Sequence, residues 1–118
     1  MSLAATAIQD LKKLSPDWNS YGATAPDDRT VARALDCLDA ITKALGQGYR
    51  QPEVRPIPDP GVSLTWRDRW SHGVVKVLVT PTSAEWVQLK NRHIVEQGSF
   101  NDAHQFKRFT HILSSVVL

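Results

Sequence analysis

The sequence predicts an α+β fold in which two N-terminal helices and one C-terminal helix pack on an antiparallel meander of four or five strands. Apolar residues recur every three or four positions near both ends of the chain and alternate with polar residues in the middle. Prolines and glycines separate the middle segments, as turns between strands require. Strands grouped between helices are typical of α+β proteins, with the helices on one face of the sheet. At 118 residues, the chain is expected to form one domain over residues 1–118.

The first predicted helix spans residues 3–14, where apolar side chains repeat at helical spacing. Ser2 is placed to cap its start, and Pro16 is placed to end it. The segment that follows, about residues 17–28, has no periodicity and contains proline, glycine and small polar residues. We therefore expect a loop between the first and second helices.

The second predicted helix spans about residues 27–45 and carries a long apolar stripe, formed by Val31, Ala34, Leu35, Leu38, Ile41 and Leu45. Asp27 and Asp28 lie at its start, where the helix dipole favours negative charge, and Gly46 follows its end. Cys37 lies next to the stripe. The position predicts a small buried side chain rather than a reactive thiol.

The middle of the chain contains five predicted strands, over residues 52–58, 62–66, 74–80, 84–90 and 93–97. Prolines cannot donate to a strand ladder, so the first of these is expected at a sheet edge. The valine-rich third strand is expected near the centre, and Trp66 is expected in the core because it is in phase with Val62 and Leu64. Asn91 and Arg92 form a predicted hairpin turn.

The last predicted helix follows a segment that resembles a capping box, with Asp102 three residues after Ser99. Its apolar residues repeat at spacings of three and four, at Ala103, Phe106, Phe109, Leu113 and Val116. The predicted core includes Leu35 and Phe106 as largely buried residues. Any homodimer is expected through the 93–97 edge or this helix, with Phe100 or Phe109 at the contact.

Composition and motifs exclude several classes of protein. The net charge is only +2, without the basic excess of a typical nucleic-acid domain. A single cysteine forms no internal disulfide and indicates a reducing, cytoplasmic compartment. No apolar run approaches the length of about 20 residues that a membrane span needs. The glycines fit no phosphate-binding loop, and the histidine spacing predicts no metal site, so no cofactor and no metal are expected.

Two motifs together resemble those of a widespread set of small bacterial and phage proteins of uncharacterised function. The first motif is Trp-Asn-Ser-Tyr-Gly-Ala over residues 18–23, which precedes a helix. The second has prolines flanking Val54 and continues as Pro-Gly-Val-x-Leu-x-Trp over residues 60–66. The match covers about residues 8–66, and the sequence departs at Pro60, where that family usually has glycine. The resemblance implies a shared α+β fold and a bacterial or phage origin, but no activity.

The Trp18–Tyr21 loop has two open interpretations. Trp18 and Tyr21 can cover the ends of helices and strands while Asn19 forms local turns, which is a structural role. The alternative is that the same rings line the pocket of a small-ligand binder or an enzyme.

The connection after Trp66 carries the main functional hypothesis, because Arg67, Arg69, Trp70 and His72 lie within six residues. Tryptophan and arginine are enriched at protein interfaces. We therefore expect a non-catalytic protein-binding module of the adaptor, inhibitor or antitoxin type, either a monomer or a weak homodimer. The alternative is weak nucleic-acid binding through the Arg67–Arg92 face, whose local charge is mildly positive.

Overall fold

The computed structural model describes residues 3–14, 18, 25–46, 48–58, 60–69 and 71–117. The elements in chain order are α1 (Leu3–Asp10), a 3₁₀ turn (Leu11–Lys13), α2 (Asp28–Leu45), β1 (Glu53–Ile57), β2 (Gly61–Arg67), β3 (Gly73–Val79), β4 (Ala84–Lys90), β5 (His93–Ser99) and α3 (Ala103–Val117). This arrangement confirms the predicted α+β fold, with two N-terminal helices, a five-stranded antiparallel sheet and a C-terminal helix.

The sheet is a plain meander in the order β1-β2-β3-β4-β5, with every neighbouring pair antiparallel. Its register aligns Leu64 with Val77 and Val77 with Trp86. Because side chains alternate along each strand, this register gathers the apolar residues of β2, β3 and β4 on one face. At the predicted hairpin turn, Asn91 and Arg92 have φ of 51° and 68°, as a tight two-residue turn requires.

The core lies between this face and the helices. Val62, Leu64 and Trp66 of β2 belong to one buried cluster with apolar residues from all three helices. Phe109 of α3 is the centre of its aromatic part, with ring centroids 6.4 Å from Trp66, 5.8 Å from Trp86 and 5.0 Å from Phe100. Trp66 is buried as predicted.

Three details of the predicted core and its surface need correction. Leu35 and Phe106 pack against the core but remain half-buried, because they lie at the border of their helical stripes. Phe109 is 0% exposed and lies inside the aromatic cluster, so it cannot contact a second copy. By contrast, the prediction that Cys37 is buried is confirmed.

The helix caps also differ from the prediction in part. Asp27 precedes α2, and its carboxylate accepts the backbone N–H of Thr30 at 2.8 Å. At α3 the cap is Asp102, whose carboxylate accepts the N–H of Gln105 at 3.0 Å. Ser99 is the last residue of β5, so the predicted Ser99 capping box is wrong. The acid starts the helix because its side chain reaches the third N–H ahead of it.

The β5 edge of the sheet is protected at both ends. The backbone N–H of Ser99 donates to the side-chain Oε1 of Gln105 at 2.6 Å, so the first turn of α3 covers that end. The pairing with β4 shifts between Gln88 and Leu89, which introduces an irregularity near exposed Ile94 and Val95. Both features oppose edge-to-edge pairing of two sheets.

Candidate functional site

The face of the sheet turned away from the helices is the candidate surface, and we call it the open face. The register places on it Glu53, Arg55, Ser63, Thr65, Arg67, Val74, Lys76, Leu78, Glu85, Val87 and Leu89. The buried side chains of the described helices belong to the cluster on the opposite face. The open face combines half-buried aliphatic side chains with charged side chains of both signs.

A cleft of about 650 Å³ lies at one end of the open face, and we call it the hairpin cleft. Its walls come from the β2–β3 connection and the β4–β5 turn, and its floor comes from β3 and β4. Its lining residues are Arg67, Asp68, Ser71, His72, Gly73, Val74, Lys76, Leu89, Asn91 and Arg92. The two hairpins meet there because Val74 pairs with Leu89, which aligns the ends of both strands.

Local hydrogen bonds hold the β2–β3 wall of the cleft. The backbone N–H of Asp68 donates to the carbonyl of Gly73 at 2.9 Å, which closes the connection. The N–H of Gly73 donates to Ser71 Oγ at 3.1 Å. At the start of the wall, the carbonyl of Arg67 accepts a hydrogen bond from the guanidinium of Arg50. Hydrogen bonds within the connection therefore hold the wall residues in place, in addition to the pairing of β2 with β3.

The lining of the hairpin cleft is positively charged, since Arg67, Lys76 and Arg92 outnumber Asp68. Arg67 lies 3.9 Å from Glu53, whose main partner is Arg55. The hydrogen bond from Arg55 lowers the pKa of Glu53, and the charges of Arg67 and Lys76 lower it further, so an ionised carboxylate lies beside two of the cleft cations. Within the described residues, no ion pair involves Lys76 or Arg92.

The predicted site residues divide between the cleft and other places. Arg67 and His72 line the cleft, whereas Arg69 is exposed in the same connection and is not part of the lining. Trp70 lies outside the described residues. Two residues of the protein-binding prediction therefore lie in the lining, and their role stays a prediction. The predicted residues did not include Val74, Leu89 and Asn91, which also line the cleft.

In the Trp18–Tyr21 loop, only Trp18 belongs to the described residues. It is half-buried and does not line the hairpin cleft. Asn19 and Tyr21 lie outside the described residues. The structural role and the pocket of this loop both stay predictions.

Among its described lining residues, the hairpin cleft contains one hydroxyl side chain. Ser71, the hydroxyl in its wall, accepts the N–H of Gly73. The thiol of Cys37 is buried away from it, and burial raises the pKa of that thiol to about 11. Among the residues that the structure describes, no three His, Cys, Asp or Glu side chains are grouped as metal ligands would be. None of the described helices is both long and apolar enough to cross a bilayer.

Comparisons with known proteins give no relative from which a role can be carried over. The chain matches no protein-family model, no curated protein and no solved structure.

Proposed function

We propose that this chain is a small non-catalytic module that binds another protein through the open face of its sheet, with the hairpin cleft at the centre of the contact. The observation that carries the proposal is the cleft of about 650 Å³, in which an aliphatic floor is lined by more cations than anions. Interfaces combine an apolar centre with a polar rim in this way. Roles of the adaptor, inhibitor or antitoxin type are consistent with binding without chemistry.

Nucleic-acid binding through the Arg67–Arg92 face is the second candidate, and the positive charge of the cleft favours it. Two observations favour a protein instead. The aromatic contacts of Trp66 and Trp86 are made with Phe109 on the helix side, so those rings are unavailable to stack on bases. Val74 and Leu89 in the cleft floor also offer nothing to a phosphate backbone.

The proposal is tested by removing an apolar side chain from the cleft floor. Tagged wild-type protein, Leu89→Ser and Leu3→Ser are purified from cells of the organism that encodes the chain, and the co-purifying proteins are quantified. Leu3→Ser is the matched control, because Leu3 is 85% exposed on α1, away from the open face. A thermal melt of each variant establishes that it is folded.

We expect one partner to be retained by wild type and Leu3→Ser and reduced about tenfold or more with Leu89→Ser, as truncation of an interface anchor does. Equal recovery with all three proteins would refute docking on the open face.

A further inference from the structure

The cations of the hairpin cleft surround a floor that is not charged. Val74 and Leu89 form a cross-strand pair on the open face and are half-buried. Lys76 follows Val74 by two residues and so projects from the same face. Arg92 approaches from the β4–β5 turn, where the positive φ of both turn residues reverses the chain. A ligand that fills this cleft therefore meets aliphatic carbon below and positive charge at the sides.

The charge of the lining limits the kinds of ligand that the hairpin cleft can bind. A second copy of this chain docked cleft against cleft would bring two positively charged linings together, which is unfavourable. A phosphodiester backbone has no apolar group to pack on the floor that Val74 and Leu89 form. A peptide offers carboxylates to the cations and aliphatic side chains to the floor. Of these three, only the peptide matches both the charge and the floor.

Given the proposed function, on which this step rests, we infer that the hairpin cleft recognises an acidic, extended segment of the partner protein. Carboxylates of the segment contact Lys76, Arg92 and Arg67, and an aliphatic side chain packs on Val74 and Leu89. An extended chain suits this site because its side chains alternate, so that neighbouring residues point to the floor and to the cations in turn.

The test is a selection of random dodecapeptides, displayed on phage, on three immobilised forms of the protein. The forms are wild type, Lys76→Glu and Lys107→Glu. Lys107 is exposed on α3, so Lys107→Glu changes the net charge equally without changing the open face. The best peptide is then synthesised with blocked termini and titrated while backbone amide shifts are recorded. A version with glutamine in place of every acidic residue, and a dodecamer of thymidylate, are titrated beside it.

We expect peptides selected on wild type and Lys107→Glu to be enriched at least about twofold in Asp and Glu over the unselected library. The enrichment should disappear on Lys76→Glu. The acidic peptide should shift amides of residues 67–76 and 89–92, and its glutamine version should bind about tenfold more weakly, as the loss of two or three exposed ion pairs implies. Lys76→Gln serves as a second variant, with the same expected loss of enrichment, if Lys76→Glu does not fold.

The contrary outcomes separate the two levels of the proposal. If the glutamine peptide binds the same residues as tightly, the open face binds proteins but the acidic specificity is refuted. If thymidylate binds the cleft more tightly than any peptide, with affinity that falls steeply with salt, the partner is a nucleic acid and the inference is refuted. If no peptide is enriched on wild type, the inference fails, and the result with Leu89→Ser decides whether the proposed function fails with it.

Discussion

The indole Nε1–H of Trp66 donates a hydrogen bond to the backbone carbonyl of Arg50 at 2.8 Å. The same Arg50 extends its guanidinium to the carbonyl of Arg67 at the end of β2 and to the carbonyl of Val116, 3.2 Å away, in α3. Arg50 thereby joins the segment before β1, the second strand and the last helix. Its contact with Arg67 also holds the point at which the wall of the hairpin cleft begins.

Arg50→Ala should lower the free energy of unfolding by about 1–3 kcal/mol, because two carbonyls lose a charged donor. Arg69→Ala is the matched control, since Arg69 is exposed. That variant should stay within about 0.5 kcal/mol of wild type. Urea denaturation measures both. Equal stability of the two variants would show that the hydrogen bonds of Arg50 contribute nothing net.

Leu38→Ala should lower the free energy of unfolding by about 2–5 kcal/mol, because it leaves a cavity between α2 and the sheet. Leu38 is 4% exposed. Leu3→Ala provides the control, since Leu3 is 85% exposed and its removal opens no cavity. A loss under about 1 kcal/mol for Leu38→Ala in urea denaturation would contradict the packing described for α2.

Gly61→Ala should be destabilising by about 1–3 kcal/mol, because the added methyl group has no space. A Cβ at Gly61 would clash with the carbonyl oxygen of Val79 and would lie 2.8 Å from the side chain of Ile57. At Gly48 a Cβ meets nothing within 4 Å, so Gly48→Ala should be neutral or slightly stabilising. Thermal melts compare the two, and an unchanged melting temperature for Gly61→Ala would refute the close approach.

Cys37 should react with a thiol reagent only when the protein opens. Burial, and to a lesser degree the charge of Asp36, raise the pKa of its thiol to about 11, so almost no thiolate is present at neutral pH. The labelling rate at pH 8, followed by mass spectrometry, should rise with urea in parallel with unfolding. Labelling that is as fast without urea as in the unfolded chain would show that the Cys37 thiol is accessible in the folded protein.

Stability should fall as the pH is lowered below about 4.5, because folded-state carboxylates there lose their charge. The hydrogen bond from Arg108 lowers the pKa of Glu96 below its ordinary value of 4.5. A carboxyl whose pKa is lowered by folding stabilises the protein above its unfolded pKa, and this contribution disappears as the pH falls through its folded pKa. Glu96 therefore contributes at neutral pH and not in acid.

Glu96→Gln should accordingly be less stable than wild type at pH 7, with the difference shrinking as the pH approaches 3. Glu85→Gln is the control, because Glu85 is exposed on β4 and forms no ion pair in the described part of the chain. The part of the pH dependence that belongs to Glu96 is the difference between the two variants. Urea denaturation at several pH values provides the comparison, and a constant deficit for Glu96→Gln would exclude the ion pair with Arg108 as its cause.

The sequence by itself determined the elements of this protein, because they depend on neighbours within a few residues. Apolar residues at helical spacing predicted α2, and alternation predicted the strands and the burial of Trp66. The sequence also predicted the Asn91-Arg92 turn. It did not predict the start of α3, because Ser99 and Asp102 both suit a cap and the choice between them depends on where β5 ends.

Tertiary structure alone decided the relationships between distant residues. Val74 and Leu89 share the cleft floor because the register of β3 and β4 aligns them, and one residue of slip would turn both to the opposite face. Arg50 contacts Val116 across a sequence separation of 66 residues, which no local pattern encodes. Phe109 is inaccessible to another protein because four aromatic rings surround it. Such contacts are determined by packing and register, and these exist only once the helices have covered one face of the sheet.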